Sequence, residues 1–330
     1  RIQSKELIEE YMLLANKMIS EYLVKFCKDK AVLRTQLPPK EEKVDVMIEY
    51  FDKVGAKVDI SNSLKTQESF QKLKHGDNTA LYYCCMRKYF SNIREANYVT
   101  REETDPVNAR HYSLNFDLYT HFTSPIRRYP DLLVHRQLTL ALAHQEETRN
   151  IIDKIDYKKY VEYCSDRYLT AKYASSTCTK LYHCIFLKNT QVNEGVDAYV
   201  YDMTPNTIMF YIASINVNYK MDIRKDTRIA HSHVIDNFTA YLIFKKEGQE
   251  HTEEEIDFED DKWMKDDDIK DRLVKIKILD LVKLVVGTTD EIPIDLKCLI
   301  YRNDSDFELV KELTEEANAS GAREVLPVVR

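Results

Sequence analysis

Between Tyr119 and Arg136 the chain reads Tyr119-Thr120-His121-Phe122-Thr123-Ser124-Pro125-Ile126-Arg127-Arg128-Tyr129-Pro130-Asp131-Leu132-Leu133-Val134-His135-Arg136, its densest run of hydroxyl, imidazole and guanidinium groups. Thr123 or Ser124 suits a helix N-cap, and Pro125 suits the first helical position. That start puts Arg127 and Arg128 on the first turn, where unpaired amides and the helix dipole attract anions. The same dipole disfavours arginine there, so two in succession call for a compensating anion. A phosphate would serve, and so would a carboxylate such as Asp131, because both pair with guanidinium in the same way. A helix start at Pro130 is the alternative, and it leaves Arg127 in the preceding turn.

Metal chemistry has little support in the sequence. The alternation of a strand puts His231 and His233 on one face, with no third ligand near them. Cys178, His183 and Cys184 are irregularly spaced for a zinc site. The run Asp266-Asp267-Asp268 points its carboxylates in different directions and reads as solvated.

The elements that must position these groups follow from periodicity. Residues 4–28 read as a helix with Leu7, Tyr11, Leu14, Met18, Tyr22 and Phe26 on one buried face, and Glu9 and Asn16 on another. Further helices are expected at 44–54, capped by Gly55, at 64–86 with a break near Gly76, at 131–144 and at 157–186. Residues 94–110, with the turn signal Asp105-Pro106, read as a loop. After Asn189 the character changes to β-branched and aromatic residues. A hairpin is expected over 196–212, with more strands at 215–223, 238–245 and 273–286. Five short strands suggest a small barrel or sandwich. Tyr199, Tyr201, Phe210 and Tyr211 alternate faces there, either as core or as plates for stacking on bases.

A chain of 330 residues suggests two domains. Six glycines disfavour a fold built on a glycine-rich phosphate loop. Residues 247–271 hold 13 acidic side chains and three lysines, a local net of −10, which leaves +3 for the rest of a chain whose total is −7. A mildly basic body is compatible with a polyanionic partner but not with a diffusely cationic coat for nucleic acid. This acidic stretch is expected to be a long loop, and the tail after Leu309 to be charged and helix-prone. Seven scattered cysteines fit free thiols in a reducing compartment. No run of about 18 apolar residues occurs, so no membrane span is expected.

The segment from Tyr119 to Tyr129, with Asp131 and Val134-His135-Arg136, resembles the signature of the ribonuclease II (RNB) family of exoribonucleases. Ser4 to Asn16, Ala31-Val32-Leu33-Arg34 with Pro38-Pro39, Ala80 to Cys84 and His111 to Asn115 agree with it in order. Cys164-Ser165-Asp166-Arg167 is similar to the cytoplasmic branch called Dis-three-like exonuclease two, which usually has Asn where Ser165 stands. The resemblance weakens after about residue 245. It implies an α+β chain in three parts. Residues 1–186 are the mainly helical C-terminal half of an RNB catalytic domain, residues 187–300 a five-stranded OB-fold barrel that binds RNA, and residues 301–330 a charged tail.

The activity implied is processive, magnesium-dependent hydrolysis of single-stranded RNA from its 3′ end, releasing nucleoside 5′-monophosphates in RNA decay. Arg127 matches the arginine at the scissile phosphate. Glu9 or Glu10 resembles the residue that reads the ribose 2′-hydroxyl, although glutamates on an exposed helix face are commonly just solvated. Asn16, Tyr119, His121, Thr123, Ser124 and Arg128 are further expected RNA contacts, with Tyr201 and Phe210 on the barrel. The family's aspartate cluster has no counterpart before Glu6, so magnesium is expected on residues outside this chain. The chain accordingly reads as the C-terminal portion of a larger monomeric cytoplasmic protein whose partners are the RNA 3′ end and its own N-terminal half. The alternative is a non-catalytic RNA-binding or scaffold homologue.

Overall fold

Helix α1 (Gln3–Cys27) leads the computed structural model, which describes residues 2–105, 108–143, 151–190, 195–246, 258, 266–288, 296–302, 306–307 and 309–310. The chain separates into two units, one of residues 1–47, 59–68 and 92–175 and the other of 48–58, 69–91 and 176–330. Of the acidic stretch 247–271, only Phe258 and residues 266–271 are described, and the tail beyond Val310 lies outside the described residues.

In the first unit the expected buried stripe of α1 holds only at its C-terminal end, where the half-buried Tyr22 and Phe26 pack against the core. Leu7, Tyr11, Leu14 and Met18 are 50–61% exposed, and the buried positions are Asn16, Ser20, Leu23 and Cys27. Periodicity finds an apolar stripe but not the neighbour that covers it. Here α5 (Tyr129–Leu142) packs on α1, along the polar and small-residue face. Leu23 and Cys27 join Ala31, Val32, Leu133, Val134 and Tyr157 in one core.

Strands β1 (Val32–Thr35) and β2 (Asn97–Thr100) pair antiparallel, Val32 opposite Thr100. Residues 94–110 are therefore not all loop. A four-residue strand is too short to show a period, and its partner lies far away in sequence. Gln137 of α5 fastens β1 at its start. Its Oε1 accepts from Val32 N at 3.1 Å and its Nε2 donates to Lys30 O at 2.6 Å.

The start of α5 corrects the sequence reading. The helix begins at Tyr129 with Pro130 in its first turn, and Arg128 before it is extended, with φ −128° and ψ 114°. A helix running on from Pro125 would need the N–H that Pro130 lacks and would set its ring against the Ile126 carbonyl. Residues 125–127 form a turn instead, with Arg127 N and Arg128 N donating to Ser124 O.

The other helices are α2 (Glu41–Lys53), α3 (Ser63–Lys74), α4 (Thr79–Asn92) and α6 (Tyr157–Thr190). Gly55, at φ 71°, follows the end of α2, as a left-handed cap requires.

The second unit contains a nearly closed five-strand antiparallel barrel, ordered β10-β9-β3-β4-β5. Its strands are β3 (Val196–Thr204), β4 (Thr207–Ile212), β5 (Val217–Asp222), β9 (Leu281–Thr288) and β10 (Leu296–Ile300). Between β5 and β9 come β6 (Ile229–Ile235), β7 (Thr239–Phe244) and β8 (Leu273–Lys277), which form a separate three-stranded sheet, with the single turn α7 (Asp267–Lys270) before β8.

The five strands are thus not quite those read from the sequence. The 238–245 strand belongs to the small sheet. The 273–286 run is broken at Leu279, which sits at φ 76°, so that its two halves enter different sheets. Helices α2 and α4 pack on β3: Tyr50 Oη donates to Tyr201 O at 2.8 Å, and Lys88 Nζ meets Asp202 at 2.8 Å. Among the described residues no helix is long and apolar enough to cross a membrane. All seven cysteines are free, and all but Cys178 are buried.

Candidate functional site

The site is built around Asp131. Its side chain is fully buried, and its Oδ1 accepts from Ser124 N and Arg128 Nη2, both at 2.7 Å. Of the two candidate arginines, Arg128 is therefore the one held by a carboxylate. Arg127 is exposed, and its side chain has no hydrogen bond or ion pair among the described residues. One buried carboxylate thus fixes the turn and aims the neighbouring guanidinium.

Arg34 of β1 lies alongside. It is 4% exposed, and its guanidinium is held between the Tyr98 and Tyr168 rings, at 4.3 and 4.5 Å from their centres. Tyr98 Oη is 2.7 Å from His121 Nδ1. Ser165 of α6 holds the Tyr98 backbone, its Oγ accepting from Tyr98 N at 3.0 Å and donating to Tyr98 O at 3.2 Å. A cleft of about 460 Å³ opens here, lined by Tyr98, Arg127, Arg128, Tyr163, Arg167 and Tyr168 among others.

Four buried polar atoms of this group have no hydrogen-bond partner among the described residues: Arg34 Nη1, Thr123 Oγ1, Arg128 Nε and Asp131 Oδ2. Buried polar atoms are normally satisfied, and guanidinium N–H groups match the oxygens of a phosphate. The cleft therefore offers arginine donors for an anion and tyrosine faces for a flat ring.

The other sequence candidates divide between direct and indirect roles. Asn16 is buried; its Nδ2 donates to Tyr119 Oη at 2.9 Å, and its Oδ1 accepts from Phe122 N at 3.0 Å. Tyr119 is 4% exposed and stacks on Phe116. Asn16 and Tyr119 thus position the signature segment from inside and present no surface to a ligand. His121, Thr123 and Ser124 are half-buried beside the arginines. Glu9 and Glu10 lie on the exposed half of α1 and line no part of this cleft.

Tyr201 and Phe210 are corrected outright. Phe210 is fully buried, and Tyr201, 4% exposed, packs against Cys84 and Tyr211. Neither ring is open to a base. A bulge between Val200 and Asp202 breaks the alternation, so Val200 and Tyr201 are both buried.

Sequence reasoning missed Arg34, Tyr98, Tyr163, Arg167 and Tyr168 as a group. The available signals were a charged residue inside the apolar run Ala31-Val32-Leu33-Arg34, and a repeat of Tyr160, Tyr163, Arg167 and Ala171 at helical spacing. The described residues bring no group of three or more His, Cys, Asp or Glu side chains together around a metal position. Asp131 is already bonded to Arg128 and Ser124. These residues do not fit the magnesium site that the resemblance implies.

Burial, with the charges of Arg128 and Arg34, pulls His121 down to about 3, and burial with Arg34 pulls His111 down to about 4. An unfolded histidine titrates near 6.5, so below that pH the unfolded chain binds protons that the folded chain refuses. Stability is then full above about pH 6.5 and falls as pH drops toward the folded values. From pH 6.5 to 5 the neutral His121 is expected to cost on the order of 2 kcal/mol. Urea midpoints at pH 7 and 5 check this. The drop should be smaller in His121→Gln, and an equal drop in both proteins excludes His121 as the cause.

Residues 1–144 match the family model described as the RNB domain. DIS3-like exonuclease 2 of Caenorhabditis elegans is 33% identical over 192 residues, 57% of this chain and 22% of that protein. The chain spans about a quarter of the length of the curated relatives it matches. Among solved structures, yeast Ssd1, described as a pseudonuclease, superposes with a TM-score of 0.66 at 15% identity, covering 89% of this chain and 44% of that one. Mycoplasma genitalium RNase R in complex with ribose methylated single-stranded RNA does so with a TM-score of 0.65 at 18% identity, covering 91% and 42%. At such identities these two structures establish the fold alone.

Proposed function

We propose, from the match of residues 1–144 to the RNB domain model, that the chain is the RNA-channel part of a cytoplasmic, monomeric 3′-to-5′ exoribonuclease. It acts on single-stranded RNA and releases nucleoside 5′-monophosphates. One observation carries the reading: Arg127, Arg128 and Arg167 line a single tyrosine-bearing cleft, with the buried Arg34 guanidinium held between two of its tyrosines, and Arg34 and Arg128 each have a buried guanidinium nitrogen with no hydrogen-bond partner among the described residues. In this reading the RNA 3′ end lies in the cleft, Arg127 meets the scissile phosphate, and the tyrosines stack on terminal bases. The magnesium-binding carboxylates belong to residues outside this chain. The exposed stripe of Leu7, Tyr11, Leu14 and Met18 is where the N-terminal half of the same protein packs. Relatives named as exonucleases support the catalytic reading.

The second reading, a non-catalytic RNA-binding homologue, draws on a relative named as an inactive exonuclease, from Arabidopsis thaliana and 26% identical over 262 residues. Both readings give the same expectation for this chain by itself. With magnesium and end-labelled single-stranded RNA it binds without shortening the RNA. The slope of log affinity against log salt should be shallow, corresponding to about two to four phosphate contacts. Stepwise shortening by the purified chain would overturn the assignment of the metal site, and absence of RNA binding would overturn the channel. Activity of the full-length protein separates the two readings.

A further inference from the structure

The barrel of the second unit stops short of closure, and the gap lies between β5 and β10. The order β10-β9-β3-β4-β5 leaves these two as end strands, so the outer edge of each has no ladder partner among the described residues. Cys184 of α6 packs in one cluster with Leu296 of β10 and with Val217 and Tyr219 of β5. A helix side chain thus touches both strands and props their edges apart.

A cleft of about 480 Å³ follows the gap, lined by residues 218–222 of β5 and 296–299 of β10. Successive residues of a strand point to opposite faces. A surface touched by five in a row on one strand and four in a row on the other therefore runs along the strand edges, not across one face of the sheet. Backbone as well as side chains meets a ligand there. An edge strand offers its row of N–H and C=O groups to any extended chain laid beside it.

The charge along the gap is one-sided. Lys220, Lys225 and Lys297 line the cleft, and their side chains make no hydrogen bond or ion pair among the described residues. The two carboxylates of the cleft are already engaged, Asp222 with Arg224 at 2.9 Å and Asp226 with Arg228 at 2.7 Å. Between the lysines the lining is apolar, with Met221, Leu296 and Cys298 buried. Ammonium groups without counter-ions, apolar side chains and edge backbone together match a chain that alternates acidic and apolar residues.

We propose that the gap between β5 and β10 docks an extended acidic segment of a partner protein, which adds to an edge strand through main-chain hydrogen bonds and sets its carboxylates on Lys220, Lys225 and Lys297. None of these residues lines the tyrosine-bearing cleft, so the docking site stands or falls independently of the RNA reading. Main-chain pairing supplies the affinity in this mode of recognition, and the side chains supply the selectivity.

The test is a fluorescence anisotropy titration of the whole chain with a labelled octapeptide that alternates Glu and Val. The peptide should bind, more weakly as salt rises, and an octapeptide alternating Lys and Val should not. Methylating alternate amides of the Glu-Val peptide removes its ladder donors and should weaken binding about tenfold, the scale of one or two lost hydrogen bonds. The triple variant Lys220→Gln, Lys225→Gln, Lys297→Gln should also bind roughly tenfold more weakly, the combined effect of three exposed charge pairs. Amide hydrogen exchange should slow in β5 or β10 of the wild type when the peptide is added. Failure of the Glu-Val peptide to bind overturns the site and leaves the lysines as guards against edge pairing. Binding that is indifferent to amide methylation, or that leaves exchange in β5 and β10 unchanged, makes the contact diffuse charge attraction and overturns it too. Displacement of the peptide by an oligouridylate that protects the same amides makes the gap a nucleic-acid site, which equally overturns the proposal.

Discussion

Asp131→Ala is expected to destabilise the chain by about 3–5 kcal/mol, the scale for removing one partner of a buried ion pair. Asp131 is 0% exposed and the Arg128 side chain 16%, so water screens neither charge well. Removing the carboxylate leaves Arg128 without its counter-ion and Ser124 N without its acceptor. The loss therefore exceeds that of an ordinary surface pair, about 0–1 kcal/mol. Asp131→Asn keeps an acceptor for Ser124 N and gives up only the charge, so it should lose less. Combining Asp131→Ala with Arg128→Met should recover part of the loss, because the stranded charge goes with it. Urea midpoints at a common slope measure all three. A loss under about 1 kcal/mol for Asp131→Ala would show that the pair behaves as a solvated one.

This pair also marks the limit of what could be read without a structure. The segment Tyr119 to Arg136 announced its chemistry because residue types and spacing are local properties. Which arginine pairs with Asp131 is a question of backbone direction, and it was decided by Pro130. A proline five residues beyond Pro125 moves the helix start, makes the intervening residues a turn, and gives Arg128 to the carboxylate. Arg34 was hidden for another reason. Its partners Tyr98 and Tyr168 come from a four-residue strand and a long helix, brought together by pairing across distant sequence, and no local pattern encodes that.

The same distinction holds for the rest of the fold. Helices with a strong period, and the breaks at Gly55 and Gly76, were legible. The face of α1 that packs was not, because Asn16 and Ser20 are buried by polar contacts that hydrophobic periodicity does not count. In the barrel, strand-forming composition was correctly read, but strand membership was not. A single residue at positive φ, Leu279, redirects a continuous β-rich run from one sheet to another. The base-stacking expectation for Tyr201 and Phe210 failed for a related reason: aromatic residues mark strands whether they face the core or a ligand, and composition alone does not choose.

Arg127→Ala in the full-length protein should cut the single-turnover rate of RNA degradation by roughly 10²–10³-fold, about 2.7–4 kcal/mol, the scale for one preorganised donor in a transition state. The argument starts from the division of labour at the site. Arg128 is tied to Asp131, so its charge is already compensated. Arg127 lines the same cleft, its side chain without a partner among the described residues, and is held through its backbone by the turn bond from its N–H to Ser124 O at 3.3 Å. Its fork is thus the one available to two oxygens of a phosphate. Charge that develops only during cleavage is met only then, so the rate should fall far more than the affinity, to which every other phosphate contact still contributes. Arg127→Lys should recover part of the rate, since an ammonium supplies charge without the bidentate geometry. Because Arg127 is exposed, truncating it should leave the urea midpoint nearly unchanged, which separates this variant from Asp131→Ala. Parallel loss of affinity and rate would make Arg127 a binding residue, and an unchanged rate would move the phosphate contact to Arg167, another guanidinium group that lines the cleft.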